Sequence, residues 1–276
     1  MMTGVLVESV TGPDGSFDIR HFARTAVGCH RDSLALDAFA EKPLSPPTLR
    51  ALRYVRDVER STMRYLRRVL VTPTHKDAQV TAFLTTWAFE KYWVADALDA
   101  LFEAHTNLPL EPARTPVPWS RLRATQDRFT PIWRSFTDNT LGESVIAVHM
   151  AVGAADEWMT RAAYREIARV ERHPELDSIL EVVQDIKTRH LAFFGGRARD
   201  LLTGSPLGRR LTRTRMRHGR WPVCAREEPA AESAAFFRRV FARDPEVART
   251  VDARIRSLPG LEDLTLMRAT VARYAP

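Results

Sequence analysis

Residues 172–202 read RHPELDSILEVVQDIKTRHLAFFGGRARDLL. Pro174 suits the first turn of a helix, where its missing N–H would have had no partner in any case. Gly204-Ser205-Pro206 stops that helix. The stretch therefore reads as one long helix. Near its middle lie Lys187 and His190, three residues apart and so on one face. A helix this long in a globular chain buries one face against neighbouring helices.

Working back from that helix, the chain supplies such neighbours. A third long helix is expected from about Leu141 to Arg172, carrying His149, Glu157 and Tyr164. A second runs from Asp77, a suitable N-cap, to about His105, with Phe83, Trp87, Glu90, Val94 and Leu98 along one side. A first begins at Thr48 behind Pro47 and runs to about Val71, where Pro73 ends it. The short link between the first and second makes them antiparallel neighbours. A proline-rich crossover, Asn107 to Trp119, and a helix from about Ser120 to Phe136 separate the two helix pairs. No strand or hairpin pattern stands out, so the expected class is all-α: a four-helix bundle over residues 48–205. Residues 1–47 form an irregular wrap containing a short helix from Arg31 to Phe39. Residues 206–276 form an appendage of short helices, at Ala231–Ala242, Pro245–Leu258 and Glu262–Tyr274.

The chain has 276 residues, 45% apolar and 27% charged, which suits a globular fold with a sizeable core. Cys29 and Cys224 match neither a disulfide framework nor a zinc spacing, and a reducing, cytoplasmic setting is the expectation. No signal-peptide pattern and no apolar run of about 18 residues occurs, so no membrane partner is expected. The net charge of +7 admits an anionic partner. The chain shows neither a helix-turn-helix signal nor an aromatic-basic sheet pattern, so nucleic acid is not expected.

Three stretches carry a resemblance. Trp87-Ala88-Phe89-Glu90-Lys91-Tyr92-Trp93 resembles the W-x-x-E-E-x-x-H helix of acyl-carrier-protein desaturases and related ferritin-like di-iron oxygenases, with Glu90 at a ligand position and Trp93 at the histidine position. The stretch around Glu157 resembles their single-glutamate helix. The stretch around His190 resembles their Glu-x-x-His helix, with Lys187 in place of the glutamate. Glu59 is the best first-helix candidate, ahead of Asp57. Trp221 to Val223 and Leu258-Pro259-Gly260-Leu261 are similar to the tail of one bacterial ferritin-like group.

The resemblance implies a ferritin-like bundle and, in the intact family, a di-iron centre held by about six ligands. Here Trp93 deletes a nitrogen ligand and Lys187 replaces a carboxylate with a cation. The expectation is therefore no metal cofactor, with iron or manganese bound only if altered ligands keep the site. Lys187 is expected to pair with Glu90 and Glu157.

Three readings follow. The first is an enzyme using Glu90, Glu157, Lys187 and His190 for metal-independent acid/base chemistry such as cyclisation, dehydration or isomerisation on a hydrophobic small molecule. Glu59, Trp87, Trp93, His149, Trp158 and Phe194 would line its cavity. The second is a non-catalytic binding or scaffold protein. The third is an oxygenase or desaturase with altered ligands, His149 contributing. The basic run Arg209 to Arg220 is the place where the resemblance would put an acyl carrier protein. A homodimer is admitted, although no residue specifies one. His75, His105, His173 and His218 are expected at the surface.

Overall fold

A computed structural model describes residues 10–12, 16–105, 142–218, 221–222 and 229–274. Among the described residues the regular elements are all helices, apart from one isolated antiparallel bridge between Thr11 and Phe17. In chain order the helices are α1 (Ile19–Arg24), α2 (Ala38–Glu41), α3 (Pro46–Arg60), α4 (Thr62–Leu70), α5 (Ala78–Glu103), α6 (Ser144–Glu171), α7 (Pro174–Gly204), α8 (Pro206–His218), α9 (Ala230–Val240), α10 (Pro245–Arg256) and α11 (Leu266–Tyr274). The expected crossover, the helix near 120–136 and Cys224 lie outside the described residues.

The long helices start and stop where local chemistry dictates. Asp77 accepts the Val80 N–H at 3.0 Å and caps α5. Arg172 ends α6 in the left-handed conformation, with φ 55°, and returns its N–H to the Ala168 carbonyl at 2.9 Å. His173, immediately before Pro174, is forced into extended backbone. That pair of residues turns the chain, and α7 packs back along α6.

Several expectations need correction. The first long helix is two, broken at Ser61, whose hydroxyl bonds back to the Val58 carbonyl at 2.6 Å. The expected helix at 31–39 is a single 3₁₀ turn at Arg31–Ser33 followed by the short α2. Arg31 is held instead by Asp96 and Glu103 of α5, so the wrap follows α5 and does not coil on itself. An earlier helix, α1, was not anticipated; Asp18 caps it through the N–H groups of Arg20 and His21.

His105 and His173 are buried, not exposed. Phe39 packs against both rings, and each imidazole joins a local backbone group to a distant one. His105 donates to Leu101 O and accepts from Leu44 N–H, while His173 donates to Lys42 O and accepts from Leu176 N–H. His75 and His218 are exposed, as expected.

One hydrophobic cluster contains Phe22 and Phe39 of the wrap, Leu52, Phe83, Tyr164 and Phe194 of the long helices, and Phe237, Ile255 and Met267 of the tail. The appendage therefore shares the core of the long helices. Four of these helices, α3, α5, α6 and α7, each send charged side chains into that core.

Candidate functional site

Glu59 lies in the last turn of α3, Lys91 in the middle of α5, Glu157 in the middle of α6 and Lys187 in the middle of α7. All four side chains are buried. Their charged ends form a closed ring. Lys91 Nζ lies 2.7 Å from Glu59 Oε2 and 3.0 Å from Glu157 Oε1. Lys187 Nζ lies 2.8 Å from Glu59 Oε1 and 2.9 Å from Glu157 Oε2. Every oxygen of the two carboxylates thus receives one ammonium, and each ammonium bridges both carboxylates.

Neutral donors and aromatic faces complete the ring. The Trp87 indole N–H donates to Glu157 Oε1 at 2.8 Å, and the Tyr164 hydroxyl donates to Glu59 Oε1 at 3.1 Å. The Lys91 ammonium sits 5.1 Å from the Trp87 ring centre, and the Lys187 ammonium 5.5 Å from that of Tyr164. Two like-charged pairs arranged alternately around a square attract along every edge. That attraction offsets the cost of removing four charges from water.

A second group adjoins the ring on the side of the wrap. Glu90 Oε2 accepts from His190 Nε2 at 2.7 Å, and Glu90 Oε1 accepts the Val27 N–H at 2.8 Å. Arg189 approaches Glu90 at 3.6 Å and donates to the carbonyls of Phe22 and Thr25. His190 Nδ1 faces Glu157 Oε2 at 3.6 Å, linking the pair to the ring. Three carboxylates therefore meet two ammoniums, a guanidinium and an imidazole.

The protonation states follow from these contacts. Burial pushes the Glu157 carboxyl up, but Lys187, Lys91 and His190 outweigh it and hold it well below the usual range. The same contest, against Lys187 and Lys91, leaves Glu59 lowered. Burial disfavours charged Lys91, yet Glu157 and Glu59 raise its pKa above the ordinary value. Burial also works against protonated His190, and Glu157 and Glu90 overcome it, so its pKa is raised. Burial, reinforced by the negative charge on Glu59, keeps the Tyr164 phenol in its protonated form.

The sequence candidates fare unevenly. Glu59, Glu157, Lys187, His190, Glu90, Trp87 and Phe194 do meet in the core; the Phe194 ring packs edge-on against Trp87. Lys187 pairs with Glu59 and Glu157, not with Glu90, because Glu90 is turned toward His190 and the wrap. Trp93 is half-buried beside Phe89 and Tyr92 and is not at the ring. In the W-x-x-E-E-x-x-H pattern the histidine is the eighth residue, three after Lys91, and so falls on the buried Val94 and not on Trp93. His149 is bonded to Thr74 at 2.8 Å. Eight residues of helix, about 12 Å, separate it from Glu157. Trp158 is half-buried beside Gly195. Asp57 pairs with its neighbour Arg56 and leaves the core position to Glu59.

Lys91 is the residue that sequence reasoning missed, and Tyr164 and Arg189 went unrecognised as partners. One signal was available. Two carboxylates facing each other in a dry core require two cations, and Lys91 lies one helical turn from Trp87 on the inward face of α5.

The donor set does not fit a di-iron centre. The carboxylate oxygens of Glu59 and Glu157 are taken by ammoniums, and His190 Nε2 is taken by Glu90. Among the described residues no cluster of three or more histidine, cysteine or acidic side chains is arranged to hold a metal ion. No helix among them is long and apolar enough to cross a membrane. In the basic run, Arg213 and Arg217 both pair with Asp263, and Arg209 donates to the carbonyls of Leu202 and Thr203.

Neither a scan against protein-family models nor searches of curated proteins and of solved structures found a match to this chain.

Proposed function

We propose that this all-helical protein is a ferritin-like bundle whose core works without metal, and that it acts as a binding or scaffold protein and not as an acid/base catalyst. The observation that carries this reading is the closed ring of Glu59, Lys91, Glu157 and Lys187, in which each carboxylate oxygen is matched by an ammonium at 2.7–3.0 Å. General acid/base work needs a group whose pKa lies near the operating pH and whose proton can reach a substrate. Here the Glu59 and Glu157 carboxyls are pushed down and the Lys91 ammonium is pushed up, away from neutrality. The ring and the Glu90–His190 pair are buried. The ring supplies what a metal pair supplies elsewhere: positive charge that ties together carboxylates from separate helices.

One observation favours the acid/base alternative. His190 Nδ1 makes no hydrogen bond, and the imidazole bridges Glu90 and Glu157. His190→Gln separates the two readings. The binding or scaffold reading expects a folded His190→Gln protein to complement a chromosomal deletion as well as the parent does. A folded variant that fails to complement would favour the acid/base reading and overturn ours.

A further inference from the structure

A groove of about 310 Å³ lies between the start of α3 and α9, away from the charged core. Its apolar surface comes from Pro46, Pro47, Ala235 and Phe236, and two arginines, Arg50 and Arg239, border it. The arginines differ. Arg50 is half-exposed and neutralised by a two-point pairing with Glu232, both contacts at 2.9 Å. Arg239 is more buried, and its contacts are weaker: a 3.3 Å bond to the Thr48 hydroxyl and a 4.0 Å approach to Glu171. Glu171 is already engaged by the Ser45 N–H and hydroxyl and by the Thr48 hydroxyl, at 2.5–2.7 Å. Burial and the nearby Arg243 both disfavour the charge on Arg239, and Glu171 offsets this only in part.

We infer that this groove binds a small amphipathic monocarboxylate, with its carboxylate on Arg239 and its apolar tail against Phe236 and the two prolines. One under-neutralised guanidinium calls for one negative charge, and the planar fork of arginine matches a carboxylate. The volume sets the tail: at a liquid-like share of about 30 Å³ per heavy atom it holds roughly ten heavy atoms. That is the size of an eight-carbon acid, and the groove lies at the small end of ligand sites. This inference deepens the binding reading above and rests on it.

The test uses the full-length protein and octanoate as the probe, followed by calorimetry. Octanoate is expected to bind with Kd below about 1 mM, and octanol at least about tenfold more weakly. Octylamine is expected to show no binding. Arg239→Gln should weaken octanoate by about tenfold. Ala235→Trp, which fills the groove one helical turn from Arg239, should abolish binding. Absence of octanoate binding at about 10 mM, equal binding of octanol, or binding that survives Ala235→Trp overturns the inference. The His190→Gln complementation assay reads the charged core and not the groove, so failure of the groove and failure of the binding reading are distinguishable.

Discussion

Lys187→Met is the perturbation that the ring feels most directly. The methionine keeps the length of the side chain and removes its charge, leaving Glu59 and Glu157 to share the ammonium of Lys91. Glu59 Oε1 keeps the Tyr164 hydroxyl, but Glu157 Oε2 keeps only His190 Nδ1 at 3.6 Å. Breaking a buried ion pair from one side typically costs about 3–5 kcal/mol. At about 2–4 °C per kcal/mol for a chain of this class, the midpoint falls by roughly 6–20 °C. The assays are thermal unfolding for the midpoint and equilibrium urea unfolding for the free energy, each followed by both tryptophan fluorescence and far-ultraviolet circular dichroism.

The pH dependence sharpens the test. With one cation gone, a ring carboxylate in the folded variant has its pKa raised above the unfolded value. Its charged form then becomes more unfavourable as pH rises, so the deficit relative to the parent shrinks on acidification toward pH ~5. Restoring charge balance with Lys187→Met/Glu157→Leu should recover most of the loss, since apolar replacement of a whole buried pair is often neutral. A Lys187→Met protein that loses less than about 1 kcal/mol at neutral pH refutes the reasoning, because a loss that small belongs to a solvated pair.

Two further predictions concern the parent and its packing. Glu59 and Glu157 have lowered pKa values, so their contribution is present above the ordinary 4.5 and is lost as pH falls below it; His190 has a raised pKa, so its contribution is full below 6.5 and is lost as pH climbs past that value. Stability should therefore peak between those two values, and His190→Gln should flatten the alkaline side; urea midpoints that fall equally on that side in both proteins would contradict this. Gly153 of α6 sits so close to the Phe194 ring that an added methyl group would overlap it, and that ring packs on Trp87. Gly153→Ala should cost about 1–3 kcal/mol despite its better helix propensity; an unchanged or raised midpoint would show that Phe194 moves freely.

The ends of the long helices were legible in the sequence because they are set locally. Pro47, Asp77, Pro174 and the Gly204-Ser205-Pro206 stop each act within a turn of their own position. The charged core was legible in kind but not in register. Glu90 and Lys91 are adjacent, and one residue on a helix turns the side chain by about 100°. Assigning the inward face to Glu90 placed Trp93 at the centre and hid Lys91. Nothing local distinguishes the two choices, because the face is decided by where Glu59 and Glu157 arrive from α3 and α6. The same limit explains His105 and His173, whose partners are the backbone groups of Leu44 and Lys42, far along the chain. Ser61 broke the first helix through a hydroxyl bond that its sequence context did not announce.

The most direct measurement is the metal content of the protein, expressed with iron and manganese supplied and purified without chelator. If two ammoniums neutralise the carboxylates of α3 and α6, less than about 0.1 equivalent of any transition metal stays bound. Chelator should then leave the unfolding midpoint unchanged. One or more equivalents per chain, lost together with stability on chelation, would contradict the ring of Glu59, Lys91, Glu157 and Lys187.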